Sequence, residues 1–143
     1  MPTLQFVAIL AATLFSGAAI YINVAEHPAR MECGTEVAAA VFGPSYRRAA
    51  VMQSVLALAA AIAGFGEWFV EGGFAWLMGA VLIFAVVPFT LIAIMPTNKK
   101  LLALDLDRNT ASTRRLLQRW GRLHAVRSVL GLAASGIFLA SVV

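Results

Sequence analysis

Apolar residues run almost unbroken through four stretches of this chain, about residues 4–25, 49–70, 74–95 and 124–143. Each matches the roughly 20 residues that a helix needs to cross a bilayer. None shows the alternation of period two expected of a half-buried strand. A helix also pairs its own backbone groups, which hydrocarbon cannot do for it. The pattern predicts an all-α fold, an integral membrane four-helix bundle in a single transmembrane domain over residues 1–143. The first stretch reads as a span and not as a cleaved signal. Only Met1, Pro2 and Thr3 precede it, and none of them is basic.

The connections differ in length. Glu71-Gly72-Gly73 is a tight link between spans two and three. Residues 26–48 are too long for a simple turn. Pro28 is expected to end the first helix nearby. Thr35 to Phe42 reads as a short interfacial helix, stopped by Gly43-Pro44. After Pro96-Thr97-Asn98-Lys99-Lys100 comes a turn-like stretch around Asp105 to Ala111. Thr110 or Ser112 then caps a cytoplasmic extension of helix four. Within the spans, Ala50, Ala57, Ala60 and Gly64 share one side, and Gly131 with Ser135 makes a second close-packing pair. Pro88 is expected to kink span three and free the carbonyl of Phe84.

Composition strengthens the membrane reading. Apolar residues make up 61% and charged residues 13% of 143, against about 45–50% and 25% in soluble domains. Charge then orients the bundle. The eleven Lys and Arg residues lie in the first and third connections or, for Arg127, just inside span four. By the positive-inside rule these connections are cytoplasmic, and both termini are expected outside, in the cell membrane. The net charge of +4 is a juxtamembrane belt facing membrane lipid, not a nucleic-acid signal. Cys33 is the single cysteine, so it forms no internal disulfide or metal motif.

Polar residues within the spans gather at the cytoplasmic end. Ser16, Asn23 and His27 share a face of span one, and Tyr46 and Gln53 a face of span two. Thr90, Thr97 and Asn98 end span three, and Trp120, His124 and Arg127 share a face at the start of span four. Ionisable groups in spans are expensive and point to function. Arg127 is expected to pair with Glu26, which also meets Arg30 one turn on. His27 and His124, the only two histidines, fall in the same layer and suit acid–base work near neutral pH. His27, His124 and Glu26 also form a two-His, one-carboxylate set suited to non-haem iron. Metal is the lesser alternative, because adjacent Glu26 and His27 point about 100° apart on a helix. There is no nucleophile elbow, phosphate loop or Ser-His-Asp pattern. The outer half offers only Glu67, Trp68 and Glu71 near its rim.

The same residues carry a family resemblance. Tyr21-Ile22-Asn23-Val24-Ala25-Glu26-His27-Pro28-Ala29-Arg30 resembles the first motif of the anthrone oxygenase-like family of small membrane proteins. Tyr46-Arg47-Arg48-Ala49 with Gln53 resembles its second. Pro88-Phe89-Thr90 with Met95-Pro96-Thr97-Asn98 resembles its third, and Trp120-Gly121-Arg122-Leu123-His124-Ala125-Val126-Arg127 its fourth. The resemblance covers nearly the whole chain and implies oxidation of a tricyclic anthrone by O2 without a dedicated organic cofactor. Under it, His27 or His124 is the base, and Arg127 with Asn23 or Asn98 stabilises the oxyanion. Trp120 and Tyr46 stack on a flat substrate, with Gln53 and Glu26 completing the pocket. Two other classes compete: a binder of a small hydrophobic ligand such as a quinone, and a structural membrane subunit. The sequence leaves room for a homo-oligomer.

Overall fold

The computed structural model describes residues 2–143, and the described residues form helices and no strand. Four helices are long and apolar enough to cross a membrane: α1 (Pro2–Glu32), α2 (Thr35–Glu71), α3 (Phe74–Leu101) and α4 (Ala111–Ala140). The shortest has 28 residues. At about 1.5 Å per residue it is roughly 42 Å long, more than a hydrocarbon core of about 30 Å. The helices are therefore long enough to cross with turns to spare. Large apolar side chains such as Phe6, Ile62, Phe69 and Ile92 face outward, as expected of a bundle whose surroundings are lipid.

The helices run up and down in chain order. Each packs on its sequence neighbours, and α1 closes the ring against α4. Gly72 and Gly73 join α2 to α3 at φ 80° and 89°, a conformation that costs a β-carbon dearly but not glycine. Thr110 caps α4, its Oγ1 accepting from the Thr113 backbone N–H at 3.1 Å. From that cap, α4 runs as one helix through the expected extension into its span.

Two connections depart from expectation. The segment from Thr35 to Phe42 is helical, but Gly43-Pro44 does not stop it; α2 continues through both to Glu71. A proline ring removes one hydrogen bond and crowds the carbonyl four residues back. Here that carbonyl belongs to exposed Ala40, while Ala38 and Phe42 are fully buried beneath it. Packing of the inner face outweighs the local break. Pro28 likewise does not end α1, which extends to Glu32, and Pro88 lies inside the helical stretch Phe74–Phe89.

Pro28 and Pro96 coincide with π turns. Residues Ile22–Glu26 and Thr90–Ile94 are π-helical. In each, the residue just before the proline bonds five residues back: His27 N–H to Ile22 O, and Met95 N–H to Thr90 O. The two prolines have no N–H to give, so the chain widens by one residue ahead of them. Such widened turns re-aim the side chains around them.

The end of the bundle away from the basic belt is packed from small residues, including Ala8, Ala12, Ala60, Ala80 and Ala134, all fully buried. Two phenyl rings key into glycines. A Cβ on Gly79 would lie 2.4 Å from the Phe138 ring, and one on Gly131 would lie 2.7 Å from Phe15. Ser16 and Ser135 join α1 to α4 at 2.9 Å, beside Gly131 as the small-residue pair predicts. This half is not uniformly apolar, however. Glu67, near the end of α2, is fully buried and accepts from Gln5 Nε2 at 2.7 Å.

Candidate active site

The π turn in α1 presents Asn23 to α4. Asn23 Nδ2 donates to the Gly121 carbonyl at 2.9 Å. That contact turns Oδ1 toward His124 Nδ1 and Ser128 Oγ, both at 2.7 Å. An amide oxygen only accepts, so His124 Nδ1 carries a proton and donates it to Asn23. In the neutral ring the lone pair is then on Nε2, which makes no hydrogen bond among the described residues. Trp120 stacks against the His124 ring at 4.8 Å between centroids, and its Nε1 donates to Asn98 Oδ1 at 2.8 Å. His124 is therefore held by a plane on one side and an acceptor on its edge.

His27 is arranged differently. Its Nε2 faces the Leu117 carbonyl at 2.9 Å, and Nδ1 accepts from Arg30 Nε at 3.0 Å. A carbonyl accepts only, so Nε2 bears the proton and both ring nitrogens are engaged. Gly121 leaves room for this ring: a Cβ there would lie 2.8 Å from it. His27 has no lone pair to offer a substrate. Its role is to bind α1 to α4 and to aim Arg30, whose guanidinium lies 5.2 Å from the Trp120 ring and 5.5 Å from Phe42.

Arg127 does not meet Glu26. Its Nη2 donates to Gln53 Oε1 at 2.9 Å, and its guanidinium lies 5.6 Å from the Phe15 ring. Glu26 turns to α2 instead, accepting from Ser45 and lying 3.7 Å from Arg30 Nη1, the expected partner one turn on. As the neighbour of His27 it points about 100° away from the α4 face that Asn23 and His27 share. This placement bears on metal binding. Among the described residues no three His, Cys, Asp or Glu side chains gather as ligands, and His27 has both nitrogens committed. The residues present do not fit the two-His, one-carboxylate set.

A small cavity lies between these groups. It is lined by Arg30, Tyr46, Gln53, Trp120, His124 and Arg127 among others, with a volume of about 20 Å³. Four buried side-chain atoms in the described residues lack a hydrogen-bond partner: Arg30 Nη2, Gln53 Nε2, Arg127 Nε and Asn98 Nδ2. All four are donors. An unpaired buried donor costs about 1–3 kcal/mol, and three of these four belong to residues that line one cavity. Five of the nine predicted site residues line the cavity: His124, Arg127, Gln53, Tyr46 and Trp120. Asn23, His27 and Asn98 support them from behind, and Glu26 stands apart. Trp120 packs on His124 and Arg30, so it works as a brace within the site. Arg30 was legible only as a partner of Glu26; its spacing of three from His27 is the signal that places it here.

The fold and this donor-lined polar end define a class, a multi-pass membrane four-helix bundle with a buried polar layer at one end. The chain belongs to the anthrone oxygenase family, whose model matches residues 41–137, about two thirds of its length. It is also similar to anthrone oxygenase tpcL of Aspergillus fumigatus, at 39% identity over 66 residues. That match takes in 44% of this chain and 41% of the relative, so the chain spans less than half of the relative's length in the alignment. No solved structure matches.

Proposed function

We propose that this protein oxidises a hydrophobic carbon acid of the anthrone type with O2. The observation that carries this reading is the pairing of one free imidazole lone pair with three unsatisfied donors around a single cavity. Deprotonation of a ketone's neighbouring carbon, or of its vinylogue across an aromatic ring, moves charge onto the ketone oxygen. His124 Nε2 takes the proton, and Arg127, Gln53 and Arg30 stabilise the oxyanion. The electron-rich carbon adds O2, and the imidazolium returns its proton to give a hydroperoxide. Loss of the second proton from the same carbon expels hydroxide and breaks the O–O bond. The CH2 becomes C=O, and O2 supplies one oxygen to product and one to water. No resident oxidant is needed.

A ligand-binding role without turnover is the second reading, since the same donors suit a quinone carbonyl. The unpartnered His124 nitrogen favours the enzyme, because holding a carbonyl needs donors and no base. A purely structural role leaves the three donors without purpose. The test is turnover of anthrone by the reconstituted chain under ¹⁸O2. One heavy oxygen in the product carbonyl, at a rate above the uncatalysed reaction, is the expected result. No acceleration over protein-free vesicles would overturn the reading.

A further inference from the structure

Beside the small cavity lies a larger one of about 150 Å³, between α2 and α3. Tyr46, Ala50, Gln53 and Arg127 line both. Its walls are apolar, formed by Ala57, Val86, Val87, Leu91 and Met95. Its rim includes Ser54 and Leu91, which are exposed on the side of the bundle. The π turn at Thr90–Ile94 forms part of the α3 wall. The cavity thus starts among lipid-facing residues and ends at Gln53 and Arg127, two buried residues that each carry an unpaired donor.

We propose that this cleft is the doorway through which a flat, neutral molecule dissolved in the bilayer reaches the reaction site sideways. Its leading edge bears an oxygen acceptor, which Gln53 and Arg127 receive. Its body lies along the apolar walls. The small cavity, at about 20 Å³, has room for about one water-sized molecule, so an aromatic body extends into the larger one. Ala50, at the junction, sets the width. The inference rests on the donor-lined cavity as the reaction site.

The test uses the full chain in phosphatidylcholine vesicles, with Trp68→Phe and Trp76→Phe to silence the indoles of the other end. Ser54→Trp then places a reporter on the exposed rim, and 9,10-anthraquinone in the bilayer is the probe. Expected is quenching that saturates with probe and shifts its half-point at least tenfold on adding Ala50→Phe. The milder Ala50→Leu gives a smaller shift if the larger ring impairs folding. Trp120 remains in every variant, so its quenching, read in the chain lacking only the other two indoles, is subtracted first; a control reporter from Ile62→Trp then shows only the linear quenching of random encounters. Linear quenching at position 54, or a half-point indifferent to both Ala50 variants, overturns the doorway. O2 uptake with anthrone reads catalysis separately. Saturable quenching without uptake keeps the doorway and sinks the enzyme. Parental uptake in Ala50→Phe with linear quenching does the reverse.

Discussion

The two histidines sit in one layer, yet substitution should affect them in opposite ways. In His124→Ala the lost groups are one hydrogen bond to Asn23 and the free Nε2; Asn23 Oδ1 still accepts from Ser128. Beyond the void that truncating either buried ring leaves, the stability loss is that of one bond, about 1 kcal/mol. The loss of turnover is that of a positioned base, about 10²–10⁴-fold, or roughly 3–5 kcal/mol of barrier. In His27→Ala, Arg30 Nε loses its acceptor, and the Leu117 carbonyl keeps its N–H partner within α4 but loses a second bond. The one buried donor left unpaired costs about 1–3 kcal/mol of stability, to which the lost second bond of the carbonyl adds, while no proton-transfer group is removed. Oxygen uptake by reconstituted protein, normalised to the folded fraction from circular dichroism, separates the two. Turnover per folded chain should fall less than about tenfold in His27→Ala, within the range of a misplaced neighbour and short of a lost base. Equal losses per folded chain in both variants, or a His124→Ala protein at parental rate, would refute the assignment of the tautomers.

Packing leads to three further outcomes. Arg127→Lys keeps the charge but loses the Nε donor and the fork that reaches Gln53; kcat should drop by about 10²-fold, as for one oxyanion donor, in steady-state assays. Gly79→Ala puts a methyl 2.4 Å from the Phe138 ring; overpacking of this kind destabilises by about 1–3 kcal/mol, and Phe138→Leu in the same chain should restore the melting point. Thr110→Ala removes the α4 cap and should lower stability by about 1 kcal/mol without changing turnover.

Much of the fold was legible because hydrocarbon imposes one-dimensional rules. The four spans, the glycine turn at 72–73, the Thr110 cap and the small-residue face at Gly131 all arise from local composition. The polar layer was legible too, since depth along a helix is set by residue number. Partners across helices were not. Arg127 meets Gln53 and not Glu26, because Glu26 lies about 100° around α1 from His27, on the side that meets Ser45. The π turns at Ile22–Glu26 and Thr90–Ile94 were not legible either, because hydropathy carries no trace of one extra residue in a turn. The visible sign was the X-Pro step, at His27-Pro28 and again at Met95-Pro96, which reads equally well as a helix end. Gly43-Pro44 misled for the same reason: local breaking propensity is overridden by the buried face of Phe42. Glu67 was legible near the rim from its position near the end of a span; its full burial there, with Gln5 of another helix as a partner, was not.

The unpaired donors around the small cavity also tie occupancy to the durability of the whole bundle. Three buried N–H groups without acceptors draw together about 3–9 kcal/mol from the folded state. A molecule that supplies acceptors returns part of it, and one that binds only the folded chain raises its stability by RT ln(1 + [L]/Kd), about 2.7 kcal/mol at a hundredfold excess over Kd. The melting point of the purified chain is therefore a readout of acceptor geometry that needs no knowledge of the reaction. Lipophilic phenols, ketones and quinones could be ranked by it, with Gln53→Leu as the variant that should flatten the ranking. The natural ligand can in this way be sought through heat before it is sought through chemistry.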